Sequence, residues 1–218
     1  MSKQINLLSS LPKTARDVDA RCKAKTPNVI LQARKFGALY FDGPRKFGYG
    51  GYHDDGRWDP VARDILAHFD LKPGARVLDV GCAKGFLVKE MLGYGMETFG
   101  LDISGYALMH CAPEAVGRLH LGTALQMPFP DASFDCVISI NTLHNFVERH
   151  AIHALREIQR VSRGHAFVQV DSYHTPAQKQ LFEDWALTAR FHDYPEGWLK
   201  LFKEAGYDGD YDFTFLTE

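Results

Sequence analysis

The fold is decided by one stretch, in which an apolar segment runs into glycines: Val77-Leu78-Asp79-Val80-Gly81-Cys82-Ala83-Lys84-Gly85-Phe86. Its apolar first half predicts a buried strand, and residues 86–94 are predicted to form a helix. Glycine has no Cβ and tolerates positive φ, so such a turn brings backbone N–H groups at a helix start close to a ligand. The stretch therefore predicts a strand, a turn and a helix that bind a nucleotide-like group.

Strands and helices alternate along the rest of the chain. The predicted strands are 76–80, 97–101, 118–121, 134–140, 165–170 and 211–216. The predicted helices are 28–36, 60–69 capped by Asp59, 86–94, 104–111 capped by Ser104, 148–161, one that starts at Thr175-Pro176, and 196–205 closed by Gly206. This alternation predicts an α/β fold with a parallel sheet covered on both faces, and ligands bind such sheets at the carboxyl ends of the strands.

The first part of the chain has a different composition. Residues 1–26 carry many basic and few large apolar residues, which predicts a loose arm or a poorly packed helix. Residues 37–58, called the lid below, combine glycines with aromatic residues and are too rich in glycine for a helix. They predict either a lid that closes over a ligand or an aromatic wrap at the domain edge. We therefore divide the chain into an arm and lid, 1–58, and an α/β domain, 59–218.

Composition narrows the choice of partners and compartment. The formal net charge is -2 and no run of Lys and Arg occurs, so no nucleic-acid partner is predicted. No apolar run approaches the roughly 20 residues of a membrane span, and the N-terminus lacks a signal-peptide pattern, so a cytoplasmic location is expected. The four cysteines form no C-x-x-C pair. Among the histidines, no convincing metal-ligand spacing is found beyond His144, His150 and His153, and His150 and His153 are expected on a solvated helix face.

An acidic residue at the end of the second predicted strand identifies the kind of nucleotide site. The carboxylate of Asp102 is placed to accept both hydroxyls of a ribose, or else it caps the helix that follows. A dinucleotide fold also has an acid about 20 residues after its first glycine, but its G-x-G-x-x-G turn would need glycine where Ala83 and Phe86 stand. A turn that binds a pyrophosphate is therefore not favoured.

The glycine stretch resembles motif I of the class I S-adenosylmethionine-dependent methyltransferases, acidic-x-Gly-x-Gly-x-Gly. Asp79, Gly81 and Gly85 match this motif, and Ala83 takes the place of the middle glycine. The resemblance implies a Rossmann-like, mostly parallel seven-stranded sheet with S-adenosylmethionine as cofactor. It also implies that the glycine turn faces the amino-acid part of the cofactor, that Asp102 holds the ribose, and that Ile103 lies beside the adenine.

A second segment, Gly122 to Asp135, resembles the Gly-Asp-Ala…Leu-Pro-Phe-Pro…Ser-Phe-Asp pattern of small-molecule methyltransferases. In that family the acid contacts the adenine amino group, and here Thr123 replaces it. The resemblance therefore assigns adenine recognition to backbone groups of Ala124 and Leu125.

Polar residues after the next two strands are candidates for the reaction itself. Asn141 offers a donor and an acceptor, suited to the cofactor's amine or to an acceptor group. His144 is either a general base or a core histidine. Tyr173 is directed either at the sulfonium or into a surface turn.

Lid residues complete the predicted site. Ring faces stabilise a sulfonium cation by roughly 0.5 to 2 kcal/mol, and Tyr40, Tyr49 and Tyr52 are the candidates. Arg45 or Arg57 is a candidate partner for the cofactor's carboxylate.

Two reactions fit this site. The first is transfer of the cofactor's methyl group to a small-molecule acceptor. The second follows from a resemblance of the whole chain to azetidine-2-carboxylate synthases, which cyclise S-adenosylmethionine itself and release methylthioadenosine. A cofactor-binding subunit without activity is a third possibility. The identity of the acceptor and the oligomeric state are left open.

Overall fold

Six strands form one parallel sheet at the centre of the molecule. The computed structural model describes residues 2–12 and 16–216. The strands are β1 (Arg76–Val80), β2 (Glu97–Asp102), β3 (Leu119–Leu121), β4 (Phe134–Ile140), β5 (Ser162–Ser172) and β6 (Asp210–Phe215). They lie in the order β3-β2-β1-β4-β5-β6, and every neighbouring pair is parallel. The predicted α/β Rossmann-like fold is confirmed.

The predicted count of seven strands is wrong for the part of the chain that the structure describes. All six segments predicted from the sequence contain a strand, whereas the seventh was expected from the resemblance alone. The free edge of β6 is covered instead by the N-terminal segment. Ile5 N–H donates to the Tyr211 carbonyl at 2.9 Å, and Tyr211 N–H donates to the Lys3 carbonyl at 3.0 Å.

Helices cover both faces of the sheet. They are α1 (Val18–Ala24), α2 (Pro27–Ala33), α3 (Ala38–Phe41), α4 (Trp58–His68), α5 (Phe86–Gly93), α6 (Gly105–Met109), α7 (Glu148–Val161), α8 (Pro176–Trp185) and α9 (Pro195–Ala205). Side chains alternate across a strand, so Val77 belongs to the core under α4 and α5, while Leu78 belongs to the core under α7 and α9. Because helices cover both faces of the sheet, a ligand can reach the sheet at the ends of its strands.

Most helix ends follow the sequence prediction. The Ser104 hydroxyl accepts the Ala107 N–H at 3.0 Å, Thr175 caps α8 before Pro176, and Gly206 closes α9 with φ 72°. The predicted cap at Asp59 is wrong, because α4 begins at Trp58. The Asp59 carboxylate instead accepts bonds from the side chains of Tyr94 and Arg63.

The N-terminal region is more ordered than predicted. Within residues 16–26, predicted as a loose arm or a poorly packed helix, α1 forms and buries Arg21, whose guanidinium donates to the Gly48 carbonyl at 2.9 Å. The lid, predicted to be too rich in glycine for a helix, contains α3 and a 3₁₀ turn, Arg45–Phe47. Among the described residues, no helix combines the length and the apolar character needed to cross a bilayer.

Candidate cofactor site

The turn between β1 and α5 alternates left-handed residues. Gly81, Ala83 and Gly85 have φ of 86°, 50° and 71°. A Cβ at Gly81 would clash with the side chain of Thr142, which follows β4. Only glycine therefore fits where the turn passes the end of the neighbouring strand. Ala83 shows that the middle position of the motif tolerates a methyl group.

Asp102, at the end of β2, is joined to this turn. One carboxylate oxygen accepts the Ala83 N–H at 2.8 Å, and the other accepts the Ser104 N–H at 2.7 Å. Burial raises the pKa of Asp102, and these backbone bonds oppose the rise. Each oxygen keeps a further lone pair, so the carboxylate can still accept hydroxyl groups from a ligand.

The strand order brings four sequence-distant segments into one row. The residues that end or follow β3, β2, β1 and β4 stand side by side as Gly122–Leu125, Asp102–Ile103, Gly81–Gly85 and Asn141–Thr142. This is the edge where parallel sheets of this type bind ligands.

A cavity of about 440 Å³ lies along this row, beneath the lid. Its volume is within the range of small-molecule sites. Nine of the predicted site residues line it: Tyr40, Tyr49, Gly81, Ala83, Asp102, Ile103, Ala124, Leu125 and Asn141. Their roles stay predictions, but the structure brings them together around one space.

Aromatic rings of the lid form the roof. Tyr49 lies 5.1 Å from Tyr40 and 4.4 Å from Tyr52, measured between ring centroids, and Phe41 stacks on Tyr49 at 5.7 Å. Burial raises the pKa of the Tyr40 and Tyr52 hydroxyls, and the proximity of Tyr40 raises the pKa of Tyr49. These hydroxyls are therefore protonated at neutral pH and leave the ring faces as the electron-rich groups of the roof.

Two predicted lid residues lie outside the cavity lining. Tyr52 stacks on Phe86 at 5.0 Å, behind the glycine turn. Arg45 donates to the carbonyls of Gly48 and Tyr49 at 3.2 and 2.5 Å, and its guanidinium lies 5.2 Å from the centre of the Trp185 ring. Arg45 thus holds the lid in place, and the structure does not direct it at the cofactor's carboxylate.

Tyr173 and His144 are also outside the lining. Tyr173 is 2% exposed, and its hydroxyl lies 3.0 Å from His192 Nδ1 in the core below α8. His144 is buried, with Nδ1 3.0 Å from an Asp171 oxygen at an angle outside hydrogen-bond geometry. Of the two alternatives predicted for His144, its burial fits the core histidine. Tyr173 lies neither at the cavity nor in a surface turn, because His192 and Tyr194 enclose its ring.

Asp79 and Gly85 are the other predicted site residues outside the lining, and Asp79, on β1, is 5% exposed. Burial, and next the nearby charge of Asp102, raise the pKa of Asp79 to about 7. The Asp79 carboxyl group therefore changes from neutral to negatively charged near neutral pH.

Sequence reasoning missed the far half of the cavity. It is lined by residues between α2 and α3, by the segment that leads from β4 into α7 and by a loop after α8, namely Arg34, Lys35, Phe36, Asn145, Phe146, His150, Thr188 and Arg190. The loop carries no motif, and only its long-range contacts identify it. Its Arg190 and Phe191 N–H groups donate to the His144 carbonyl.

His150, predicted to be solvated, is the histidine in the lining. Within residues 2–12 and 16–216, no group of three or more His, Cys, Asp or Glu could hold a metal ion.

The doubly wound sheet, the glycine turn and the acid on the adjacent strand define the class of protein: the chain carries a class I S-adenosylmethionine-dependent methyltransferase domain. The family described as "Methyltransferase domain" matches residues 78–169. S-adenosylmethionine is the cofactor of this class, and the predicted family resemblance is confirmed.

Individual relatives agree with this assignment. A tRNA U34 carboxymethyltransferase of Pseudomonas syringae pv. syringae is 33% identical over 139 residues, which is 59% of this chain and 42% of that protein. Nocamycin O-methyltransferase of Saccharothrix syringae is 35% identical over 104 residues, 44% of this chain and 37% of that protein. The YcgJ protein of Bacillus subtilis has the same fold, with a TM-score of 0.57, 20% identity and 66% of each chain covered. The chain thus spans less than half the length of these two curated relatives.

Proposed function

We propose that this protein transfers the methyl group of S-adenosylmethionine to a small-molecule acceptor held in the far half of the cavity. The observation that carries the proposal is the continuity of one cavity from the cofactor row to Phe146, Thr188 and Arg190. We assign the row of strand ends to the cofactor and the far half to the acceptor.

The donor set fits the cofactor along the row of strand ends. Asp102 suits the ribose hydroxyls, Ala124 and Leu125 suit the adenine, and the turn at Gly81 with Asn141 suits the amino-acid part. When bound, the cofactor supplies an electrophilic methyl group on a positively charged sulfur. The ring faces of Tyr40 and Tyr49 stabilise such a cation and exclude water from it.

The protein's main contribution to the transfer is orientation. In-line displacement requires the acceptor atom to approach the methyl carbon opposite the sulfur, and a site that holds both molecules supplies this alignment. His150 lines the far half, and it replaces His144 as the histidine that can accept a proton from the acceptor.

The lid favours a small acceptor over a base carried on folded RNA. Its rings pack against one another over the cavity, and Lys84 and Arg45 bind its carbonyl and carboxylate oxygens. Lys35 and Arg190 line the cavity and are exposed, so a small molecule can enter beside them beneath such a roof. An RNA base would require the roof to open.

The test uses purified protein, S-adenosylmethionine carrying an isotope-labelled methyl group, and fractions of a metabolite extract. Mass spectrometry should find S-adenosylhomocysteine together with one small molecule that carries the labelled methyl group. The Asp102→Ala variant, which lacks the ribose ligand, should yield neither product.

Two outcomes would contradict the proposal. Label that enters tRNA rather than a small molecule would make the acceptor a nucleic acid. Methylthioadenosine and a four-membered amino acid, formed from S-adenosylmethionine alone, would establish the cyclisation reaction. Both relatives described above are named for transfer of a methyl or carboxymethyl group, which is why we place transfer first.

A further inference from the structure

Asn141 is held in an unusual backbone conformation at the end of β4. Its φ is 51°, in the left-handed region that asparagine tolerates better than most residues. Its N–H donates to the Gln169 carbonyl at 2.9 Å, which ties the residue to the neighbouring strand β5. The side chain lines the cavity where the row of strand ends meets the far half.

The amide of Asn141 is oriented by two residues that do not line the cavity. Gln169 Nε2 donates to the Thr214 hydroxyl oxygen at 2.7 Å, and the Thr214 hydroxyl donates to Asn141 Oδ1 at 3.2 Å. A hydroxyl has one proton to donate. Because Thr214 accepts from Gln169, its proton goes to Asn141 and selects the oxygen of that amide.

The chain of bonds runs across three strands, from Gln169 on β5 through Thr214 on β6 to the residue after β4. Gln169 is buried, and its Oε1 has no partner among the described residues. A buried amide left with one unmade bond is costly, so its other bond, to Thr214, is the contact that fixes its position.

We infer that Thr214 and Gln169 are positioning residues, which hold the Asn141 amide with its oxygen occupied and its NH₂ group free to donate into the cavity. The ligand group it suits is an acceptor, the carboxylate of the cofactor's amino-acid part. This inference rests on the proposed function only for the identity of the cofactor.

The experiment compares two ligands by calorimetry. S-adenosylhomocysteine has the amino-acid part, and methylthioadenosine lacks it. Thr214→Val keeps the branched shape and removes the hydroxyl, and we expect it to weaken S-adenosylhomocysteine binding roughly fivefold to tenfold. Methylthioadenosine affinity should be unchanged. Thr214→Ser, which restores the hydroxyl, should bind both ligands as the natural protein does.

A double-mutant cycle isolates the pathway through Asn141. Asn141→Gly removes the amide and keeps a residue at ease with positive φ, and in this background Thr214→Val should cause no further loss. Gln169→Met should weaken S-adenosylhomocysteine in the same direction as Thr214→Val. Equal losses for both ligands, or the same loss in the Asn141→Gly background, would overturn the inference. Failure of the natural protein to bind S-adenosylhomocysteine at all would instead count against the proposed function.

Discussion

Lys84 Nζ lies 2.8 Å from both carboxylate oxygens of Asp42, and this contact joins the glycine turn to the lid. The same ammonium donates to the Tyr52 carbonyl at 2.8 Å. Burial alone would raise the pKa of Asp42, but the bonds from Lys84 and Tyr106 lower it below its usual value. A residue inside the cofactor turn therefore fastens the roof of the cavity.

Lys84→Met should loosen the lid. Lys84 is nearly buried and Asp42 about one-third exposed, so we expect a loss of about 2 kcal/mol in the free energy of unfolding. Cofactor affinity should fall because the roof is no longer held, and stopped-flow measurements should find a faster dissociation rate. Lys72→Met is the matched control, since Lys72 pairs with Asp70 in solvent and should change stability by less than about 0.5 kcal/mol. Equal effects of the two variants would show that the contact between Lys84 and Asp42, the latch, does not fasten the lid.

Gly81→Ala and Gly74→Ala separate steric fit from backbone strain. The two glycines have φ of 86° and 88°, but a Cβ at Gly74 meets nothing within 4 Å, whereas one at Gly81 clashes with Thr142. Gly74→Ala should cost about 1 kcal/mol, from conformation alone. Gly81→Ala should cost at least about 2 kcal/mol more and abolish cofactor binding. Denaturant unfolding of both variants measures the difference, and similar costs would mean that Thr142 yields to the new methyl group.

Asp79 makes stability depend on pH. Its pKa is raised to about 7 in the folded protein, against about 4 in an unfolded chain, so the folded state binds the extra proton between these values. The stabilisation is fully present below pH 4 and is lost as the pH rises through 7. The free energy of unfolding of the natural protein should therefore fall relative to Asp79→Asn, by up to about 1.4 kcal/mol per pH unit in this window. Parallel pH profiles for the two proteins would show that Asp79 titrates normally.

Tyr49 provides a charge-specific test of the roof. Its ring lines the cavity, and the cofactor carries a positive sulfur that S-adenosylhomocysteine lacks. Tyr49→Leu should weaken the binding of S-adenosylmethionine about twofold to thirtyfold more than that of S-adenosylhomocysteine, because a cation–π contact contributes roughly 0.5 to 2 kcal/mol. Tyr49→Phe keeps the ring and should retain the preference. The measurement is the ratio of the two dissociation constants, and a ratio unchanged by Tyr49→Leu would remove the ring from the sulfonium site.

Local patterns predicted the parts of the site that follow strands. The apolar segment before Gly81 and the acid at Asp102 could be identified from the sequence, because strand length, turn chemistry and the position of an acid are properties of short stretches. The structure joins these two features through the bond from Ala83 N–H to Asp102. The lid tyrosines Tyr40 and Tyr49 were also identified from composition, and both line the cavity.

Other predictions failed where side-chain direction depends on distant neighbours. Arg45 was expected at the cofactor, but its guanidinium lies over the ring of Trp185, a residue far along the chain. Tyr173 follows β5 as expected, yet His192 and Tyr194 enclose its ring in the core. A sequence contains the position of such a residue and not the direction of its side chain.

The amino-acid sequence by itself determined the class of fold, the cofactor turn and its ribose acid, because each depends on residues that are neighbours in the chain. Tertiary structure alone decided the far half of the cavity, the latch between Lys84 and Asp42, and the bonds that orient Asn141. These arise from residues separated by 42 and 73 positions or brought in by a loop without a motif. Such contacts form only when distant segments pack together, so no local sequence pattern predicts them.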